Sequence, residues 1–145
     1  MIDADGVLKK VFSHRAYIPF VTCGDPDIET TEKLVRAMAA AGADLIELGI
    51  PFSDPIAEGP VIQNADVRAL STGVTTDDIF DMAMRIRKDL DIPLLVMTYF
   101  NPVFVYGCDR FLQRCEDAGI CAIIVPDLPY EEKGDIQQYC TKHGV

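Results

Sequence analysis

The chain has 145 residues, of which 49% are hydrophobic and 25% charged, a balance that fits one globular domain with a real core and excludes a disordered segment. Its net charge of -10 argues against nucleic acid or an anionic membrane surface as the main partner. That charge is compatible with a small anion, because helix N-termini bind phosphate through backbone N–H groups without basic residues. No apolar run approaches the ~18 residues of a membrane span, and the opening MIDADGVLKK lacks a signal-peptide core. Cys23, Cys108, Cys115, Cys121 and Cys140 are odd in number and contain no CxxC pair. They read as reduced, buried thiols, without a disulfide framework or a metal site, which points to a cytoplasmic protein.

Taken in order, Asp5 to Phe12 predicts a short helix and Tyr17 to Thr22 an apolar strand, in which Pro19 is awkward because it lacks a ladder donor. After the turn Cys23-Gly24-Asp25-Pro26, a helix is expected from Thr30 or Thr31, with Leu34, Val35, Met38 and Ala41 on one face and Gly42 at its end. Asp44 to Ile50 follows as a strand, then a long Gly- and Pro-rich loop and a short helix over Val61 to Leu70. Gly73 breaks the chain, and Thr75 or Thr76 caps a helix with its core stripe at Ile79, Ala83, Ile86 and Leu90. Pro93 to Thr98 is the third strand, and Tyr99 to Tyr106 reads as an apolar loop. A helix through Phe111, Leu112, Cys115 and Ala118 ends at Gly119. The last unit is the strand Cys121 to Val125, the exit loop Pro126-Asp127-Leu128-Pro129 and a helix from about Glu131 to His143. The order is a helix followed by four β–loop–α units with no hairpin signal, which implies a parallel sheet.

The most informative stretch is ADLIELGIPFSDPIAEGPVIQ, from Ala43 to Gln63. Asp44 to Ile50 is nearly continuous in apolar residues, as in a strand buried on both faces, yet Glu47 sits in its middle. Strand alternation puts Leu45, Glu47 and Gly49 on one face and Ile46, Leu48 and Ile50 on the other. Glu47 therefore lies near the C-terminal end of its strand and faces away from the packing helix. In parallel α/β folds ligands bind at that end. A buried acid held by backbone donors or a lysine is the structural alternative.

Glu58, in the loop that follows, reaches toward the same end of the sheet. Two carboxylates in unlike surroundings can divide acid and base roles, although a solvated loop acid is the plain alternative for Glu58. Asp54 and Asp127 lie in Pro-rich loops at strand ends, as helix caps, Asx turns or partner contacts. Phe20 and Tyr99 also fall near strand ends, as core or pocket wall. Phe104 and Tyr106, beside Pro102, imply a covered apolar surface. No dinucleotide or Walker-type glycine pattern is present, and His14 and His143 read as surface residues.

Four segments identify a family by resemblance: PFVTCGDP (Pro19 to Pro26), ELGIPFSDPIAEGPVIQNA (Glu47 to Ala65), MTYFNPVFVYG (Met97 to Gly107) and VPDLPYEE (Val125 to Glu132). In order, over essentially the whole chain, they closely resemble the tryptophan synthase alpha chain family. The resemblance implies a (β/α)8 TIM barrel, with residues 1–145 forming a single domain. That domain is a partial barrel of an N-terminal helix and the first four βα units, apparently truncated before strand 5. It also implies a lyase of tryptophan biosynthesis that splits indole-3-glycerol phosphate into indole and glyceraldehyde 3-phosphate, with no metal or organic cofactor.

In that pattern Glu47 matches the general acid–base glutamate. Glu58 matches the second acid, usually the aspartate of ADGP; here Ala57-Glu58-Gly59-Pro60 adds one methylene. Phe20 and Tyr99 match the walls of the indole pocket. The family pairs two alpha with two beta chains, and the pyridoxal phosphate belongs to the beta chain, which receives the indole. Asp54 and Pro55 match the loop that signals to this partner, while Asn101, Pro102 and Phe104 match the docking surface, with Asp127 grouped among these contacts. The family's phosphate-binding loops follow strands 7 and 8, so the 145-residue chain alone is expected to have little or no lyase activity. Two other readings remain at this stage: a small flavodoxin-like binding or signalling domain, and another phosphosugar-binding barrel that shares this half.

Overall fold

Side-chain chemistry marks where the helices start. Asp3 accepts the Gly6 N–H at 3.0 Å, and Asp27 accepts the Thr30 N–H at 2.6 Å. Thr75 and Asp78 close a reciprocal capping box. The second helix consequently begins two residues earlier than the threonines suggest, because the cap is Asp27. The Thr31 hydroxyl turns inward, donating to the Asp27 carbonyl and accepting the Gly24 N–H. In this computed structural model residues 3–145 are described. The elements are α1 (Ala4–Val11), β1 (Phe20–Thr22), α2 (Ile28–Ala40), β2 (Ile46–Gly49), α3 (Pro60–Ser71), α4 (Thr76–Ile86), β3 (Leu94–Met97), α5 (Phe100–Tyr106), α6 (Cys108–Asp117), β4 (Ile120–Ile124) and α7 (Gly134–His143), with a 3₁₀ turn at Tyr130–Glu132.

The four strands pair in parallel in the order β1-β2-β3-β4. A doubly wound domain instead reverses its strand order at a switch point, as in the flavodoxin order 2-1-3-4-5. The flavodoxin-like alternative is therefore corrected: each new strand adds to the same edge, as in consecutive units of a barrel. Pro19 creates no conflict. The strand begins at Phe20, and the proline contributes only its carbonyl, which accepts the Glu47 N–H at 2.9 Å.

The two faces of the sheet have different cores. Val21, Leu48 and Val96 point toward the helices, where Ile79, Phe80 and Phe111 are fully buried. The Phe80 and Phe111 rings meet edge to face at 5.2 Å. On the other face Leu45, Leu95 and Cys121 pack with Val11 of α1, which closes the end of the sheet where the strands begin. No described helix is long and apolar enough to cross a membrane.

Two expectations fail locally. Tyr99 to Tyr106 is not a loop, because Phe100–Tyr106 forms α5. Pro102 falls in its first turn, where the missing N–H has no intrahelical partner to lose. His143 is not on the surface either, its side chain being only 4% exposed. Its Nδ1 faces Glu116 at 3.0 Å and its Nε2 faces Asp109 at 2.9 Å, so both nitrogens donate when the ring is protonated. Lys142 shares Asp109 at 2.6 Å. His14, by contrast, is exposed and bonded to Asp44 at 3.0 Å.

Bonds to Asp109 and Glu116 hold the His143 ring above its ordinary range. The raised folded-state value means that this α6–α7 clasp contributes fully below about pH 6.5, the unfolded histidine value, and is lost as pH rises through the folded one. Denaturant midpoints measured from about pH 5.5 to pH 8.5 are expected to fall with rising pH in the native chain. The fall should be shallower in His143→Gln; equal slopes would contradict the clasp.

Candidate active site

The parallel register puts Phe20, Glu47, Leu95 and Ala122 in one row across the sheet. Alternation turns this row away from the helices. Glu47 is half-buried, and its carboxyl has no hydrogen-bond or ion-pair partner among the described residues. Burial alone pushes the Glu47 carboxyl up from its ordinary value. The alternative of a structural acid held by backbone donors or a lysine therefore finds no support. Phe20 lies across Gly49, one step further along the same face: a Cβ on Gly49 would stand 2.5 Å from Phe20 Cζ. Gly49 thus lets an aromatic ring cover the strand end beside Glu47.

Glu58 and Tyr99 form a second group on the same rim. The buried Tyr99 hydroxyl donates to Glu58 Oε2 and accepts the Ala57 N–H at 2.6 Å. Burial and the Glu58 contact raise the phenol above its ordinary value, so it remains a neutral donor. Gln63 Nε2, from the first turn of α3, donates to the Glu58 carbonyl at 2.8 Å and to the Pro55 carbonyl at 3.2 Å. The Phe52 and Tyr99 rings stand 5.3 Å apart. Glu58 is therefore not a freely solvated loop acid. Glu47 and Glu58 share no direct bond: one belongs to the sheet and the other to the rim loop above it.

The residues expected at a partner surface lie around this rim. Asp54 is exposed and accepts the Ser53 hydroxyl at 2.5 Å, whereas Pro55 is half-buried. Asn101 is exposed and Pro102 half-buried on α5, and Phe104 is 66% exposed. Asp127 accepts the Phe100 N–H at 2.9 Å, which makes it a cap for α5 supplied from the β4 exit loop. That role was one of those open to it in the sequence.

Asp66 of α3 was missed by sequence reasoning. It is 6% exposed, and burial together with the Glu58 charge raises its carboxyl to about 6. The available signal was its position between Ala65 and Ala69 and three residues from Gln63, on the inner side of α3. A cavity of about 810 Å³ opens at the other end of the sheet, between α1 and the segments leading into β2, β3 and β4. It holds none of these acids. No described group of three or more His, Cys, Asp or Glu side chains is arranged to hold a metal ion.

A half-buried carboxyl with no partner among the described residues, on one face of a parallel sheet with a second carboxyl and two aromatic rings on the rim, is an arrangement capable of acid–base chemistry. Residues 8–145 match the family model described as tryptophan synthase alpha chain. Tryptophan synthase alpha chains from Lacticaseibacillus casei and Alkaliphilus metalliredigens are 49% and 52% identical to it. The matches cover 92% and 88% of this chain but 50% and 48% of theirs. Among solved structures, the alpha subunit from Legionella pneumophila strain Paris is similar with a TM-score of 0.92 at 42% identity, covering 100% of this chain and 56% of that one. A tryptophan synthase complex from Pyrococcus furiosus gives a TM-score of 0.86 at 36% identity over 90% of this chain and 53% of the matched chain. The chain belongs to the tryptophan synthase alpha chain family. Its four βα units are a partial TIM barrel. It spans about half the length of the curated relatives it matches.

Replacing Tyr99 by Phe removes the donor to Glu58 and the acceptor for Ala57. Losing these two hydrogen bonds costs roughly 1–3 kcal/mol, at about 0.5–1.5 kcal/mol each. Thermal unfolding of Tyr99→Phe should show a loss in that range together with faster Ala57 amide exchange; native exchange at Ala57 would remove Tyr99 as the anchor of the rim loop.

Proposed function

We propose that these residues are one half of a lyase that splits indole-3-glycerol phosphate into indole and glyceraldehyde 3-phosphate. The observation that carries this reading is Glu47: a carboxyl without a partner among the described residues, raised by burial, on the face away from the helices. In a retro-aldol cleavage, indole C3 takes a proton and the side-chain hydroxyl gives one up. The C–C bond then breaks, its electron pair returns to the ring, and the hydroxyl carbon becomes the aldehyde. A carboxyl raised toward neutrality suits both transfers, because it can donate to C3 and be restored by the hydroxyl proton.

Positive charge develops on the indole nitrogen while C3 is protonated. Glu58 is assigned to the ring N–H, which it would meet through Oε1 while Oε2 holds the Tyr99 hydroxyl. An aspartate here, one methylene shorter, could not keep both contacts without moving the loop. Phe20 and Tyr99 are assigned to the indole pocket. The substrate phosphate, on this reading, is held by the later βα units of the barrel, so residues 1–145 are one domain contributing the acid–base half.

The assembly proposed is two alpha with two beta chains in the cytoplasm. A similar solved structure, the tryptophan synthase of Pyrococcus furiosus, is an α2β2 complex, which supports that stoichiometry. The alpha chain carries no cofactor, and pyridoxal phosphate belongs to the beta chain, which takes up the indole. Asp54 and Pro55, with Asn101, Pro102 and Phe104 on α5, are the surface assigned to that partner. The exposed Phe104 and Val105 give it an apolar centre, and Asp127 acts on it by capping α5.

Glu47→Gln in a complete alpha chain is expected to lower indole release by about 10²–10⁴-fold without loss of fold; wild-type turnover by the folded variant would reject the acid–base role. The purified 145-residue chain alone should release indole at no more than a trace of the rate of a complete chain. Comparable turnover would show that the phosphate grip is dispensable.

A further inference from the structure

The cavity of about 810 Å³ where the strands begin takes no part in the proton chemistry assigned to the rim. Its volume lies within the range of roughly 300–1,000 Å³ usual for small-molecule sites. Apolar lining comes from Val7 and Val11 of α1, Ala40 at the end of α2, and Leu90 and Ile92 before β3. Four basic side chains, Lys10, His14, Arg36 and Arg87, also line it, against two acidic ones, Asp44 and Asp91. That balance runs against the chain as a whole, whose net charge is -10. We propose that this cavity is a binding site for a small molecule with an apolar body and one anionic group, a carboxylate or a phosphate, whose charge meets Arg87 and Lys10.

The pairing of the charged groups leaves cationic chemistry unmet. His14 bonds Asp44 at 3.0 Å, and Asp44 also accepts the Tyr17 N–H at 2.8 Å. Arg36 is taken by Glu32 and by both carboxyl oxygens of Asp89. Lys10, one turn from Val7 on α1, has no ion pair or hydrogen bond through its ammonium among the described residues. Arg87 is held in place yet under-satisfied. Its Nη2 donates to the Gly119 carbonyl at 2.8 Å, while Nε is buried without a partner. Gly119 lets the side chain lie this close, because a Cβ there would stand 2.7 Å from Arg87 Nε. Asp91 comes only within 3.9 Å of Nη1 and is fully exposed, so water screens it. Burial therefore works against the Arg87 charge with little compensation. The Nη hydrogens left over, on a guanidinium already fixed against the chain entering β4, suit the oxygens of an anion. The aliphatic side chains beside it suit an apolar body.

Amide NMR titrations of the 145-residue chain test this without any turnover assay. Benzoate and phenyl phosphate are expected to shift the amides of Ala40, Leu90 and Gly119 and to leave those of Phe20 and Glu47 in place; the tighter of the two names the anionic group. Benzyl alcohol, which lacks the charge, and inorganic phosphate, which lacks the apolar body, should each bind at least ~10-fold more weakly. Lys10→Met should weaken benzoate about 2–5-fold, as for a partly exposed ion pair, and leave benzyl alcohol unchanged. Arg87→Met should weaken benzoate at least ~10-fold. Ala40→Phe, which adds bulk at a lining position, should weaken both anions by a similar factor. Benzyl alcohol binding as tightly as benzoate, or inorganic phosphate as tightly as phenyl phosphate, overturns the proposal. Shifts confined to Phe20 and Glu47 overturn it too, as does no binding up to about 10 mM. If Arg87→Met does not fold, Lys10→Met and Ala40→Phe decide, and native benzoate affinity in either one overturns the proposal.

Discussion

The parallel ladder from β1 to β4 is the constraint on which the rest of this structure depends. Its pairing, continuous from β1 to β3 and shifted by one residue between β3 and β4 at Leu94/Leu95, brings Phe20, Glu47, Leu95 and Ala122 into one row, with Thr22, Gly49, Met97 and Ile124 in the row above. A one-residue slip of β2 would turn Glu47 into the fully apolar layer of Phe80, Phe111 and Leu112, where an unpaired charge costs several kcal/mol, on the order of the effective penalty for a buried ion. The same slip would bring Ile46 and Leu48 out of that layer. The large apolar core on the helix side therefore fixes the register, and the register fixes the acid.

Within the inner face there is a gradient along the strands. Where they begin, α1 closes the sheet over Leu45, Leu95 and Cys121. Where they end, the side chains become Glu47, then Gly49 under the Phe20 ring, then the Tyr99–Glu58 pair. Apolar packing and the carboxyl groups are thus divided between the two ends of the same strands, as expected of parallel barrels. The rim is tied to the scaffold by side-chain bonds across elements: Tyr99 to the loop after β2, Gln63 back to that loop, and Asp127 to the first turn of α5.

The face assigned to Glu47 was legible from sequence because strand alternation has a period of two and the neighbouring aliphatics leave one orientation. Strand ends were less legible. Apolar runs from Tyr17 and Asp44 extend beyond the ladders, which begin only at Phe20 and Ile46. The segment Tyr99 to Tyr106, read as an apolar loop, holds α5, with Pro102 in its first turn. Asp66 and His143 were missed for a shared reason. Typical exposure puts both residue types at the surface, whereas the tertiary fold buries Asp66 on α3 and sets His143 between Asp109 and Glu116. Recognition of the family came from the strand-end motifs; local patterning reached only a parallel α/β chain with a misplaced acid.

The inner face of β2 holds a half-buried carboxyl, raised by burial and without a partner among the described residues, and the proposed function stands on that group. Site-resolved carbon-13 titration of the Glu47 carboxyl in the folded chain tests it most directly. The expected midpoint lies above the ordinary glutamate value of about 4.3. A midpoint at or below that value would mean a solvated or partnered acid, and would contradict the role given to Glu47.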